Sequence, residues 1–301
     1  MELTPPAPSP YCRTGDGAIA LGYRRHAMGL LREYTDAREL TLNLTLRELR
    51  SRYKKSVLGW TWSLLNPLIT MAIFTLVFSF FLRVKPAPGH PSGLNSFALF
   101  LLCGLLPWNF LSGGMSASVD SLISNSNLIK KVYFPREVIV FSTVLSLFAT
   151  FLIEMGVLCT VLLIVGNNVI PWIPLTLALM ALEAVLVTGI GLMLSSLNVY
   201  FRDVKHFVNV SLQALFYSIP IVYPLTLVPK EAHPFGITIP FRRIYMLNPL
   251  VRMVESYRAV LYDLRLPGLT DVLYEAVWAV ALLLLGLWVF RKFNRRLAEE
   301  L

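Results

Sequence analysis

The chain has 301 residues and a formal net charge of +9, and it is 55% hydrophobic but only 15% charged, with a mean hydropathy of +0.62. Soluble domains carry about 25% charged residues, so this balance excludes a soluble one-domain enzyme and a disordered basic tail. Several apolar blocks exceed the roughly 20 residues that carry a helix across a ~30 Å hydrocarbon layer, which makes the chain a polytopic membrane protein.

Residues 1–34 form a leader, proline-rich at its start and expected in the cytoplasm. It has no secretory signal, because the first apolar run starts only after Lys55. Residues 35–56 read as an amphipathic interfacial helix. Leu42, Leu46, Leu49 and Tyr53 recur at helical spacing on one narrow face, while Arg47, Arg50, Arg52, Lys54 and Lys55 occupy others. These basic groups either anchor the helix on the cytoplasmic side or hold lipid phosphates, whose oxygens a guanidinium matches in forked geometry. Leu58 and Gly59 then form an elbow into the membrane domain, 57–301, with Trp60 and Trp62 at the interface and Pro67 in the first turns.

Six apolar blocks follow, at 57–82, 94–119, 138–165, 169–199, 204–228 and 272–290. An even number puts both termini on one side, and the basic residues identify that side as the cytoplasm. Ten of the 27 Lys and Arg precede the first block. Lys130, Lys131 and Arg136, then Arg202 and Lys205, then four at the end fall on the same side. Of the eight left for the other side, six lie in the long stretch 225–271, where the charge rule carries less weight.

Within the blocks, Phe74, Phe78 and Phe81 form a stripe, and Phe216, Tyr217 and Tyr223 gather around Pro220 and Pro224. Such rings either stack on sugar faces along a conduit or pack against lipid and other helices. Gly113, Gly114, Ala117 and Ser118, with Gly191 and Ser195, permit close helix contacts. The connection at about 120–133 is too amphipathic for a plain linker; it is either a short helix that docks into a soluble partner or an interfacial turn. Glu154 and Glu183 lie at similar depth in blocks three and four, where carboxylates are costly. They either share a proton and couple transport to a gradient or hydrogen-bond as neutral acids between helices. Arg202 and Asp203 are expected to fix the next corner by bonds to helix ends. Over 239–262, apolar residues alternate with Arg242, Arg243, Arg252 and Arg258 around Pro249, as two short helices dipping into the outer leaflet would require.

Catalytic signatures are missing. No Gly precedes a Lys, so there is no phosphate-binding P-loop. Four scattered His and three Cys at unrelated spacings make no zinc site or disulfide framework, and the outer loop 83–93 holds no acid. If transport uses energy, another chain supplies it.

Five separated runs, taken in order, resemble the membrane subunit of ABC-2 type exporters, in the branch that exports lipid-linked polysaccharides such as O-antigen, teichoic acid or galactan. They are Arg52-Tyr53-Lys54-Lys55-Ser56-Val57-Leu58-Gly59 with Trp62 and Pro67; Gly104-Leu105-Leu106-Pro107-Trp108; Asn127 to Glu137; Asn198 to Val204; and Leu247-Asn248-Pro249-Leu250. The resemblance implies an all-α polytopic fold in the cytoplasmic (inner) membrane. Six transmembrane helices are expected, with an N-terminal interfacial helix and two short outer re-entrant helices. It implies a homodimer bound to two copies of a separate ATPase subunit that holds ATP and Mg, with no cofactor, metal or catalytic residue on this chain and no nucleic-acid partner.

By the same resemblance, Leu122, Ile123, Asn127, Leu128, Ile129 and Tyr133 form the coupling contact with the ATPase. Arg47, Arg50, Arg52, Lys54, Lys55, Leu58 and Gly59 receive a polyprenyl pyrophosphate headgroup from the inner leaflet. Phe74, Phe78, Phe81, Phe216, Tyr217 and Tyr223 line the channel, and Arg242, Arg243, Arg252 and Arg258 belong to an outer gate. The rivals are an exporter of a small lipid or drug, and a proton-coupled transporter that needs Glu154 or Glu183 and no ATPase; an enzyme lacks a site.

Overall fold

Every regular element among the described residues is helical, as hydrocarbon demands of segments that must satisfy their own backbone. The computed structural model describes residues 38–51, 59, 61–81, 83, 88–132, 134–231 and 240–294. The chain divides into two units, Met1–Leu40 and Thr41–Leu301; of the first only 38–40 are described, and the architecture is that of the second.

Helix α1 covers 38–51. It is followed by α2 (Thr61–Phe74), which continues as a π-helical stretch over Thr75–Phe81, then by α3 (Phe97–Ser124), the short α4 (Ser126–Lys131) and α5 (Glu137–Ile164). Next come α6 (Ile173–Tyr200), α7 (Val204–Ser218) and α8 (Phe241–Tyr245). The last are α9 (Pro249–Arg258), running on as a π-turn over Ala259–Asp263, and α10 (Leu269–Asn294). Among the described residues, five segments are long and apolar enough to cross a membrane: Leu64–Phe81, Phe97–Ser124, Glu137–Ile164, Ile170–Tyr200 and Leu269–Phe293. They correspond to blocks one to four and six.

The fifth block departs from an unbroken span. Helix α7 has 15 residues, about 22 Å, and ends before Pro220, since a residue that precedes proline is driven out of the helical region. Ile219 is extended, and a single 3-10 turn follows at Leu225–Leu227. Lys205 at the start of α7 pairs with Asp120 of α3 at 2.6 Å, whereas the carbonyls of Pro220 and Ile221 bond Arg258, which lies on the ring of Phe100. From Phe100 to Asp120, α3 advances about 30 Å. The fifth block therefore runs beside α3 between these two levels, with turns over 219–221 carrying the chain on from the helix.

α3 is the axis of the bundle, buried on nearly every side by α5, α6, α7 and α9. The tightest seam joins α6 to α10. A Cβ added at Gly189 would lie 2.5 Å from the backbone of Leu282 and Leu283, and one at Gly286 would meet the Gly189 carbonyl, so the two helices touch backbone to backbone. Gly191 against Ser118 and Gly114 against Val187 seat α6 on α3, so these three of the anticipated small residues make close helix contacts.

The bundle has two ends. At the α4 end a small core of Leu122, Ile129, Ile139, Leu192 and Phe290 joins α3, α4, α5, α6 and α10. The corner expected to rest on Arg202 and Asp203 is held instead by Asn198, which donates to Val119 O (3.0 Å), and by Tyr200, which donates to Phe293 O (2.8 Å). The side chains of Arg202 and Asp203 are exposed and bond no described residue. At the α9 end, Tyr262 donates to Leu94 O (2.8 Å), Asn167 to Leu261 O (2.9 Å) and Tyr274 to Leu247 O (2.6 Å).

Candidate functional site

An open groove of ≈ 420 Å³ runs between α3 and α7. Trp108, Ser112 and Ser116 recur every fourth residue on one face of α3 and supply one wall. α7 supplies the other with Asn209, Gln213 and Phe216, because it turns Val208 and Leu212 inward. Carboxamides and hydroxyls beside aromatic faces, at membrane depth, can exchange hydrogen bonds with a hydroxyl-rich chain and stack on its apolar faces.

The anticipated channel aromatics separate into four sets. Phe216 and Tyr217 line the groove. Phe74 and Phe78 back it: Phe74 lies 6.0 Å from Phe216 and 5.9 Å from Phe78, while Phe216 packs 5.8 Å from Trp108. Phe81, 66% exposed, sits at the far end of the first span. Tyr223 closes a small network, donating to Tyr217 O (3.1 Å), while Tyr245 donates to Ser218 O (2.6 Å) and the two hydroxyls lie 3.1 Å apart. Trp108, Asn209 and Gln213 were not singled out as groove residues, because on the sequence they are isolated residues in apolar blocks.

The broken end of α7 is closed by α9. Asn248 caps that helix, its side chain accepting from Leu250 N at 3.0 Å with Pro249 in the first turn. Arg258 is 3% exposed. It donates from Nη1 to Pro220 O and from Nη2 to Ile221 O, both at 2.6 Å, pairs with Glu255 at 3.0 Å, and lies 3.7 Å over the Phe100 ring. Non-helical backbone at membrane depth is tolerated only where its polar groups are satisfied within the protein, and Arg258 satisfies these two carbonyls. Gly104 leaves room for it: a Cβ there would meet Val254 at 3.1 Å and the Arg258 guanidinium at 3.3 Å.

Arg252 makes a second tie, donating to Met246 O and to Asp271 at 2.7 Å each and stacking 4.3 Å over Tyr274. Arg242 is half-buried and Arg243 exposed. The four arginines anticipated at an outer gate thus comprise two structural clamps and two with no ion pair among the described residues.

α9 also docks on two membrane carboxyls. Tyr257 donates to Glu183 (2.8 Å) and Ser256 to Glu275 (2.7 Å). Glu183 is 2% exposed, and its second oxygen has no hydrogen-bond partner among the described residues. The anticipated pairing of Glu183 with Glu154 is not found: Glu154 is half-buried on α5, while the hydroxyl bonded to Glu183 comes from α9. Glu275 lies early in the last span, and no local signal in the sequence joins it to Ser256.

At the α4 end, the side chain of Arg47 donates to Asn125 between α3 and α4, and Arg50 is exposed. The face of α1 differs from the expected stripe, since Leu44, Thr45 and Leu49 are buried while Leu42 and Leu46 are exposed. Gly59 has φ +49°, the left-handed conformation that an elbow before α2 requires. Of the coupling residues, Leu122 and Ile129 face the chain's own core, Leu128 is half-buried, and Ile123 and Asn127 are exposed beside Lys130, Lys131 and Val132. Arg52, Lys54, Lys55, Leu58 and Tyr133 lie outside the described residues.

The family model for the ABC-2 type transporter matches residues 39–262. The chain belongs to the ABC-2 type transporter family. It is similar to the O-antigen export system permease protein RfbA of Klebsiella pneumoniae, 31% identical over 87% of this chain and 95% of that protein. The protein of the same name from Myxococcus xanthus is 28% identical over 90% and 99%. The polysialic acid transport protein KpsM of Escherichia coli is 27% identical over 82% and 91%. In this ABC-2 chain the matched region carries the groove, α4 and the α9 clamp, and it ends before α10.

Proposed function

We propose that this multi-pass membrane protein is the permease subunit of an ATP-driven exporter of a lipid-linked cell-surface polysaccharide, of the O-antigen class. The groove between α3 and α7 carries the reading, because a polar and aromatic wall at membrane depth suits a chain of sugars and is wasted on lipid. The relatives' names, two of O-antigen export and one of polysialic acid transport, support the same cargo class. Two copies form the conduit, each paired with a separate ATPase subunit that binds ATP and Mg. The α4 end faces the cytoplasm with both termini, in accord with the basic residues gathered there, and α7 with the turns that follow it makes the sixth crossing. Arg47, Arg50 and the basic residues up to Lys55 receive the carrier's phosphates. Ile123, Asn127 and Leu128, with Lys130 and Val132, present the surface that seats the ATPase.

Reconstitution with an ATPase subunit in vesicles loaded with lipid-linked glycan tests this. ATP-dependent export is expected, and Tyr217→Ala combined with Gln213→Ala, both exposed on the groove wall, lowers it about tenfold, the equivalent of ~1.4 kcal/mol of stacking and hydrogen bonding, without loss of fold. Ile123→Asp releases the ATPase from a chain of unchanged thermal midpoint, whereas Ile129→Asp unsettles the chain itself. Export by this chain alone on a proton gradient, indifferent to nucleotide, overturns the reading.

A further inference from the structure

Beyond the segment 217–226 from the groove lies a second cavity, of ≈ 540 Å³, within the range of about 300–1,000 Å³ typical of small-molecule sites. It shares no lining residue with the groove. The groove's lining ends at Tyr217 and the cavity's takes up Pro224, Leu225 and Thr226 just after it, so the same stretch of chain borders both.

Most polar groups around the cavity are already engaged. The terminal nitrogens of Arg258 hold Pro220, Ile221 and Glu255. Arg265 is paired with Asp263 at 2.9 Å, and the Tyr262 hydroxyl bonds Leu94 O. Arg242 stands apart, a guanidinium on the wall with no carboxylate partner among the described residues. Glu255 and Asp263 keep lone pairs beyond those used by their arginines, the Thr226 side chain is exposed, and Leu225 and Pro224 add apolar surface. Three guanidinium groups against two carboxylates leave the lining cationic, and the unpartnered Nε of Arg258 is buried at its floor. Carboxylate acceptors for hydroxyls, apolar patches for C–H faces and one forked cation for an anion form the recognition set of an acidic sugar.

We propose that this cavity is a glycan subsite on the outer side of the membrane, which takes a short acidic stretch of polymer after the groove, with Arg242 reading its carboxylate or phosphate. The inference rests on the export reading and adds to it the charge class of the cargo.

The test is equilibrium binding of a sialic acid trimer, maltotriose and inorganic phosphate to the full chain in lipid nanodiscs, by calorimetry. The acidic trimer is expected to bind with a Kd at or below about 1 mM and more tightly than either other probe. Arg242→Ala weakens the trimer by about tenfold or more and leaves maltotriose unchanged. Thr226→Trp, which narrows the cavity, weakens trimer binding at least as much as Arg242→Ala does; thermal midpoints of both variants match the parent. Phosphate binding as tight as the trimer's, or trimer binding indifferent to both Arg242→Ala and Thr226→Trp, overturns the proposal. Because the assay uses neither nucleotide nor the ATPase, its failure leaves ATP-driven export standing, and loss of export with binding intact places the fault in the export reading.

Discussion

The first span and α3 are both apolar helices long enough to cross a bilayer, and α2 is the more apolar of the two, yet they differ almost completely in surroundings. Only 6% of the first span's most apolar window is buried within the chain, against 78% for α3. α3 accommodates Ser118 because helices surround it and turns Ser112 and Ser116 to the groove, whereas the first span meets lipid or another copy and must be apolar where it does so. Hydropathy therefore measures exclusion from water and is silent on packing. Without a hydrophobic drive between helices inside a membrane, close fit and hydrogen bonds decide which faces meet.

Substitutions sharpen that contrast in a graded way. The largest effect is expected at the α6–α10 seam, where Gly189→Leu drives a side chain into the backbone of Leu282 and should abolish a monodisperse, thermally cooperative chain in detergent. Retention of a normal midpoint would mean that the seam opens freely. Next comes Arg258→Ala, which leaves the Pro220 and Ile221 carbonyls and the Glu255 carboxylate without their partner. A loss of about 3–5 kcal/mol is expected, measured by denaturant titration, with Arg258→Lys recovering only part because an ammonium cannot fork to two carbonyls. The smallest effect is expected at Leu76, 54% exposed in the π-helical stretch. Leu76→Ala should stay within about 0.5 kcal/mol in the isolated chain; a loss of ~2 kcal/mol or more, as for a packed core leucine, would show that this face is covered.

Much of the scaffold was legible in the residues. Five of six blocks became helices of spanning length, and the Asn248-Pro249 pair marked the start of α9 because a side-chain cap and a proline in the first turn are local devices. The break in the fifth block was signalled by Pro220, although its apolar neighbours masked it. Arg258 and Arg243 look alike along the chain; what separates them is whether a broken helix end lies within reach. Leu122 and Ile123 are adjacent apolar residues, and only the position of α4 against α5 and α6 turns one inward and the other out.

The sequence by itself determined that this is a helical membrane protein, where its spanning segments lie and, through its five ordered runs, the family to which it belongs. Those properties follow from transfer of apolar surface out of water and from local backbone chemistry, which neighbours in the chain suffice to express. Only the tertiary structure decided which apolar face meets protein, that Glu183 and Glu275 receive α9, and that α3 and α7 leave a polar groove between them. Lipid and protein interior are almost equally apolar, so those choices depend on shape and on buried polar partners far apart in the chain.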